Sequence, residues 1–195
     1  MKSALLPHEA QSQRLLTCAD LAALPAALPS GPVDFELNNG RLVIMTPPGD
    51  LHGAVQTKIV AQLFMQAESR GLGKVRTETG VILRRNPDRV VGPDAAFVAS
   101  RSLPIQCSAE GYLETIPDLV AEVRSKNDLQ ADLDEKVDDY LAAGVRVVWI
   151  LDPYARTVTA HRRDTPPQVF AEQATLAAED VVPGFGLVVA DLFVQ

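Results

Sequence analysis

Residues 117–152 restrict the fold more than any other stretch. Leu119–Val123 is a short apolar run broken by one carboxylate, Glu122, and Val145–Leu151 is a second apolar run closed by Asp152-Pro153. Between them, residues 128–143 carry a helical period. Strand, helix and strand in that order make a βαβ unit, so the two strands lie parallel and the crossover is right-handed. Runs this apolar belong in a sheet buried on both faces.

Two polar residues in the unit resist a purely structural explanation. Glu122 lies inside a buried strand, where a carboxylate is costly unless it is paired, hydrogen-bonded or on a metal. Lys136 is the second. With Leu129 set at zero and about 100° per residue, Leu133, Val137 and Tyr140 fall at about 40°, 80° and 20°, and Lys136 at about −20°. The lysine points with the apolar face, away from Asp134, Glu135 and Asp138. Either it snorkels out to water, or it reaches the Glu122 carboxylate on the neighbouring strand.

With 195 residues, 47% of them hydrophobic, the chain can bury one full core. We place it in a single domain over 33–195, preceded by an irregular arm over 1–32 in which Thr17 caps a short helix at 18–24. The net charge of −7 argues against holding nucleic acid by bulk electrostatics. It leaves room for a catalyst whose bound cations offset local negative charge. Cys18 and Cys107 stand far apart, with no zinc or disulfide pattern. No signal peptide or membrane-length apolar run is readable, so a cytoplasmic protein is expected.

Elsewhere, Asn38-Asn39-Gly40 between Val33–Leu37 and Arg41–Met45 predicts a hairpin with Glu36 on its first strand. Asp50 is a candidate N-cap for a helix reaching Arg70, with Val55, Ile59, Leu63 and Phe64 on one face, His52 in its first turn and Gly71 as its stop. Lys74–Glu78, Gly80–Arg84 and Ala95–Val98 read as strands, with an antiparallel hairpin over 80–98. Thr157–Arg162 and Gln168–Glu172 read as a hairpin across Thr165-Pro166-Pro167. Leu187–Phe193 covers a sheet edge or a hydrophobic seam. Arg84, Arg85 and Arg89 around one turn, and Arg162 and Arg163 around another, are candidates for phosphate contact, though charged turns are usually only solvated.

The acids at strand starts or inside strands are Asp94 and Glu122. On adjacent strands, at about 4 Å and an effective dielectric of about 20, they repel by about 4 kcal/mol. A divalent cation removes that penalty, and oxygen ligands without a His or Cys cluster select magnesium or manganese over zinc. Such a cation activates a water and neutralises charge on a phosphoryl transition state. A lysine beside it can orient the water or donate to a phosphate oxygen.

Pro93-Asp94, then Asp118-Leu119-Val120-Ala121-Glu122-Val123-Arg124-Ser125, Lys136 with Tyr140, Gly144-Val145 and Trp149-Ile150-Leu151-Asp152-Pro153 follow one another in this chain. In that order they resemble the Uma-type family of restriction endonucleases, within the PD-(D/E)xK nuclease superfamily. Phe35-Glu36-Leu37 with Gly40, Met45 with Pro47-Pro48, His52 and Pro183-Gly184-Phe185 extend the resemblance over 33–193. It implies an α/β, restriction-endonuclease-like fold: a central mixed β-sheet flanked by helices, with an N-terminal β-hairpin. It implies that Asp94, Glu122 and the main chain at Val123 hold Mg2+ or Mn2+, and that Lys136 is a catalytic lysine moved from strand to helix. The superfamily's usual lysine position, two residues after the acid, holds Arg124 here, and Ser125-Lys126-Asn127 stands where the family has Ser-Pro-Ser. Arg124 and Lys126 therefore stay open as the catalytic cation. Glu36 is a candidate additional acid, and His52 a candidate neighbour.

The function implied is a metal-dependent endonuclease that hydrolyses DNA phosphodiester bonds through a magnesium-activated water. The alternative, supported by the negative charge and the altered 124–127 segment, is a catalytically inactive nuclease-fold module that binds a partner. Nucleic acid, with DNA foremost, is the expected partner, a membrane is not, and action on duplex DNA favours a homodimer.

Overall fold

The computed structural model describes residues 14–25, 27–28 and 31–194. Thr17 starts α1 (Cys18–Ala22) with a capping box: its hydroxyl accepts the Asp20 N–H, and the Asp20 carboxylate accepts the Thr17 N–H. The helix is anchored to the segments that follow. The Leu16 N–H donates to the Gly40 carbonyl at 2.7 Å, the Cys18 N–H to Asp88 Oδ2 at 2.7 Å, and Cys18 and Leu21 pack with Leu37, Ile82 and Val90. Residues 1–13 of the predicted arm lie outside the described residues. β1 (Ala27–Leu28) and β2 (Gly31–Pro32) form a two-residue ladder.

β3 (Asp34–Asn38) and β4 (Arg41–Met45) form the predicted hairpin, with Asn39 at φ 52° and Gly40 at φ 71°. Two positive φ values in a two-residue turn match the twist of the strands, which is why Asn-Gly is favoured there. α2 (Asp50–Gln66) is capped by Gly49, so Asp50 is its first residue and not its cap. Val55, Ile59 and Leu63 are buried as expected, whereas Phe64 is exposed. Gly71, at φ 73°, ends a short 3-10 turn over Glu68–Arg70.

β5 (Gly73–Arg76), β6 (Val81–Arg84), β7 (Arg89–Val91) and β8 (Ala95–Ala99) follow. The expected hairpin over 80–98 is not what forms. β6 pairs with β7, and β8 pairs with β5 on one side and β9 (Leu119–Val123) on the other. Gly92-Pro93 breaks the ladder after β7, and the chain passes there from one sheet to the next. α3 (Gln130–Ala143) ends at Gly144 in the left-handed region, and β10 (Val147–Asp152) returns parallel to β9 with Ile150 opposite Glu122.

β11 (Thr157–Arg162) and β12 (Thr165–Phe170) turn at Arg163-Asp164, with Asp164 at φ 59°. Thr165-Pro166-Pro167 thus opens the outer strand instead of making the turn. An edge strand tolerates prolines because the missing N–H faces solvent. β13 (Thr175–Ala177), β14 (Gly186–Val188) and α4 (Val189–Leu192) complete the described chain.

The main sheet runs β12-β11-β10-β9-β8-β5 and is mixed, with β9–β10 its parallel pair. A second sheet runs β4-β3-β7-β6. One face of the main sheet packs Phe97, Ala121, Trp149 and Leu151 against α2 and the C-terminal segment of Phe185, Leu187 and Leu192. The other packs Val120, Val148 and Ile150 against Val137 and Tyr140 of α3 and Val81 and Val91 of the second sheet. Each fully buried large side chain contributes about 1.5–3 kcal/mol, so both layers hold β9 firmly in the middle of the molecule.

Candidate active site

β8 and β9 pair antiparallel with Ala95 opposite Ala121 and Ala96 opposite Val120. Asp94 stands in the bend just before β8 and Glu122 just after Ala121 in β9, so the two acids lie at the same end of this strand pair. Glu122, like Val120 two residues earlier, faces the layer that holds α3 and the second sheet, whereas Asp94 meets His52 and Gln56 of α2. Pro93 lacks an N–H and ends the ladder at that point, which frees the Asp94 side chain to turn onto β9.

Asp94 Oδ2 accepts the Val123 N–H at 2.6 Å and lies 3.2 Å from His52 Nε2. Glu122 is 7% exposed. Its Oε1 accepts the Tyr140 hydroxyl, and its Oε2 lies 3.8 Å from Lys136 Nζ. Lys136 makes its shorter contact elsewhere, donating to Glu36 Oε1 at 3.1 Å. Glu36 Oε1 also accepts the Gly92 N–H at 3.1 Å, and its Oε2 lies 3.7 Å from Arg89 Nη1. Arg89 in turn donates to Asp139 Oδ2 at 2.6 Å and to the Leu37 carbonyl at 3.1 Å.

Burial pushes the Glu122 carboxyl up to about 7; the Asp94 and Glu36 carboxylates add to the rise, while Lys136 and Tyr140 oppose it. For Lys136, burial works against the ammonium, but the Glu122 and Glu36 carboxylates outweigh it and hold the pKa above the ordinary lysine value. Burial likewise disfavours charge on His52, yet its bond to Asp94 leaves its pKa raised. The Tyr140 phenol is driven well up by burial and by Glu122, so it stays a donor.

The structure thus gathers Asp94, Glu122, Lys136, Glu36 and His52 in one place. Arg124 is turned aside: its guanidinium meets Asp152 at 3.2 Å and lines a cavity of about 130 Å³ with Ile150, Thr157, Thr159 and His161. Lys126 is exposed beyond the end of β9 and does not share a strand face with Glu122. Of the arginines considered for phosphate, Arg89 is 2% exposed and bound within the site. Arg84 contacts Asn39 and Asp139, Arg85 contacts Glu114, Arg162 contacts Asp180, and Arg163 donates to the Leu141 carbonyl.

Sequence reasoning did not assign the Tyr140 hydroxyl, Asp139 or the Gln56–Glu78 pair beside Asp94, and it read Arg89 as a phosphate contact instead of a buried partner of Glu36 and Asp139. Gln56 Nε2 donates both to the Glu78 carboxylate and to the Asp94 carbonyl. Tyr140 had a readable signal, since it lies four residues after Lys136 and so on the same helix face. Arg89 had none, because its partners come from β3 and α3.

A divalent cation fits the donors present. Among the described residues, Asp94 Oδ1 takes no hydrogen bond from the protein, Oδ2 being the oxygen used by Val123 and His52. The Val123 N–H points toward β8, while the Arg124 N–H donates to Leu151 on the opposite side. A strand residue's C=O points the same way as its N–H, so the Val123 carbonyl faces the gap beside Asp94. Carboxylate and carbonyl oxygens suit a hard cation that keeps several waters. Among the described residues no three His, Cys, Asp or Glu side chains gather into a closed ligand set.

A mixed central sheet flanked by helices, with an N-terminal hairpin, defines the restriction-endonuclease-like class of fold. Among solved structures the chain is similar to "a putative nuclease belonging to DUF820" from Anabaena variabilis, with a TM-score of 0.74 and 19% identity over 91% of this chain and 97% of that one. That likeness shows the fold. The chain belongs to the Uma2 family, described as "Putative restriction endonuclease", whose model matches residues 19–190. Comparison with curated proteins gives no match. No helix among the described residues is long and apolar enough to cross a membrane.

Proposed function

We propose that this protein is a metal-dependent endonuclease that hydrolyses phosphodiester bonds of DNA, with Asp94, Glu122 and the Val123 carbonyl as ligands of Mg2+ or Mn2+. The observation that carries this reading is the bond from the Val123 N–H to Asp94 at 2.6 Å, which ties one acid to the residue next to the other, with the Lys136 ammonium 3.8 Å from Glu122. Bound there, the cation would supply an activated water and offset charge on the phosphate. The residues of the chain do the rest. Val123 and His52 fix Asp94 by one oxygen and leave the other for the cation. At Glu122, Tyr140 holds Oε1, and Oε2 takes no hydrogen bond from the described residues while facing the Lys136 ammonium at 3.8 Å. Lys136, held as an ammonium between carboxylates, acts as a donor toward a phosphate oxygen and not as a base.

A second reading keeps the fold without the chemistry: an inactive nuclease-fold module that binds a partner. The absence of a closed three-residue ligand set among the described residues favours it. Magnesium carries fewer protein ligands than zinc, often one or two carboxylates plus waters, so the first reading stands ahead. Both are tested by nicking of supercoiled plasmid DNA with Mg2+, Mn2+ or a chelator, alongside Glu122→Ala. The endonuclease reading expects metal-dependent nicking abolished by that substitution. Nicking unaffected by it removes Glu122 from the chemistry, and no nicking with either metal favours the binding module. We further propose a homodimer and a cytoplasmic location, the first tested by the molar mass in solution from light scattering.

A further inference from the structure

We infer that Glu36 and Arg89 are positioning residues for Lys136, so that the second sheet holds the amine at the site and Glu36 is not a metal ligand. The inference rests on the nuclease reading and assigns a part to residues that reading leaves idle.

Glu36 is 5% exposed, with one oxygen hydrogen-bonded twice and the other turned to a guanidinium. Oε1 takes the Gly92 N–H and the Lys136 ammonium, each at 3.1 Å, and Oε2 faces the Arg89 guanidinium at 3.7 Å. Oε1 is thus taken by Lys136 and the Gly92 N–H, and Oε2 is turned to Arg89, away from Asp94 and Glu122 as partners in any hydrogen bond or ion pair of the described residues. Lys136 lies nearer to Glu36 than to Glu122, at 3.1 Å against 3.8 Å. A lysine on a helix has four carbon–carbon torsions and water within reach, and unrestrained it snorkels outward. Glu36 supplies the restraint.

Arg89 braces that restraint from the other side, its guanidinium 3.7 Å from Glu36 Oε2. Arg89 is itself fixed by Asp139 and by the Leu37 carbonyl, next to Glu36 in β3. The Gly92 N–H adds the last link, because Gly92 stands two residues before Asp94. One carboxylate thereby sets the spacing between the amine on α3 and the acid ahead of β8.

The test compares wild type with Glu36→Gln and Glu36→Asp in the full chain. It reads kcat and KM for plasmid nicking, Mn2+ affinity by calorimetry, and the 15N–1H cross-peak of the Lys136 ammonium, which is visible only when acceptors hold it. For Glu36→Gln the expectation is a kcat about 10- to 100-fold lower, KM and Mn2+ affinity unchanged, and the cross-peak lost. Glu36→Asp, which keeps the charge, recovers part of the rate and decides the matter if the glutamine variant does not fold. An unchanged cross-peak overturns the inference, and so does a Mn2+ affinity that falls in step with kcat, which marks a ligand. If wild type itself shows no metal-dependent nicking, the nuclease reading fails, and the cross-peak still decides whether Glu36 holds the ammonium.

Discussion

Asp94 Oδ2 accepts the backbone N–H of Val123 at 2.6 Å, so the acid that precedes one central strand is bonded to the main chain of the next. The residue after Glu122 therefore fixes the Asp94 carboxylate. A carboxamide can still turn its oxygen to that N–H. Asp94→Asn is expected to keep the fold and lose about 1 kcal/mol, the difference between a charge-assisted and a neutral hydrogen bond. Metal affinity, which needs the charge, falls much further. Urea unfolding and Mn2+ calorimetry on the same variant check both.

Glu122 makes stability depend on pH in a direction opposite to most acids. Its carboxyl rises on folding from about 4.5 to about 7, with burial as the main cause. The folded chain then binds this proton more tightly than the unfolded one. Its contribution is present in full below about pH 4.5 and is lost as pH rises through about 7. In Glu122→Gln that titration is gone. For metal-free protein, the wild-type stability measured against Glu122→Gln is expected to decline across that window. Parallel pH profiles of the two urea midpoints contradict it.

Lys136→Met leaves Glu36 and Glu122 without their shared cation in a buried site. Breaking a buried pair from one side costs about 3–5 kcal/mol, and chemical denaturation should read a loss of that order along with loss of nicking.

Arg124→Met removes a pair with Asp152 whose arginine is 30% exposed, so the expected loss is only about 0–1 kcal/mol. The two methionine variants also settle which cation serves the site: kcat is expected to fall far more for Lys136 than for Arg124.

Gly73 opens β5 opposite Ala99, where an added methyl would be driven into the Val98 carbonyl oxygen and the Phe97 ring. Backbone cannot yield as a flexible side chain can. Gly73→Ala is expected to cost about 1–3 kcal/mol by overpacking, read as a lowered thermal midpoint, with the residues of the site untouched.

The legible part of this molecule was the part with a short period. Leu119–Val123, the helix after it and Val147–Asp152 follow from apolar patterning. The inward position of Lys136 follows from 3.6 residues per turn, and the Asn39-Gly40 hairpin from two residues that tolerate positive φ. Pairing across sheets was not legible. Val81–Arg84 and Ala95–Ala99 look like hairpin partners in sequence, yet β7 claims the first, and the long-range partners β5 and β9 claim the second. Arg89 shows the same gap at the level of one side chain. In sequence it is one of three arginines near a turn. Its burial depends on Asp139 and Glu36, which lie 50 and 53 positions away and meet it only after both sheets have formed.

The central claim is that Asp94 and Glu122 share a cation, and anomalous diffraction from crystals soaked in Mn2+ tests it most directly. The account predicts one strong peak about 2.0–2.2 Å from Asp94 Oδ1 and from a Glu122 oxygen, with the Val123 carbonyl in the same shell. A peak that touches neither acid, or no peak with both side chains placed as described, contradicts it.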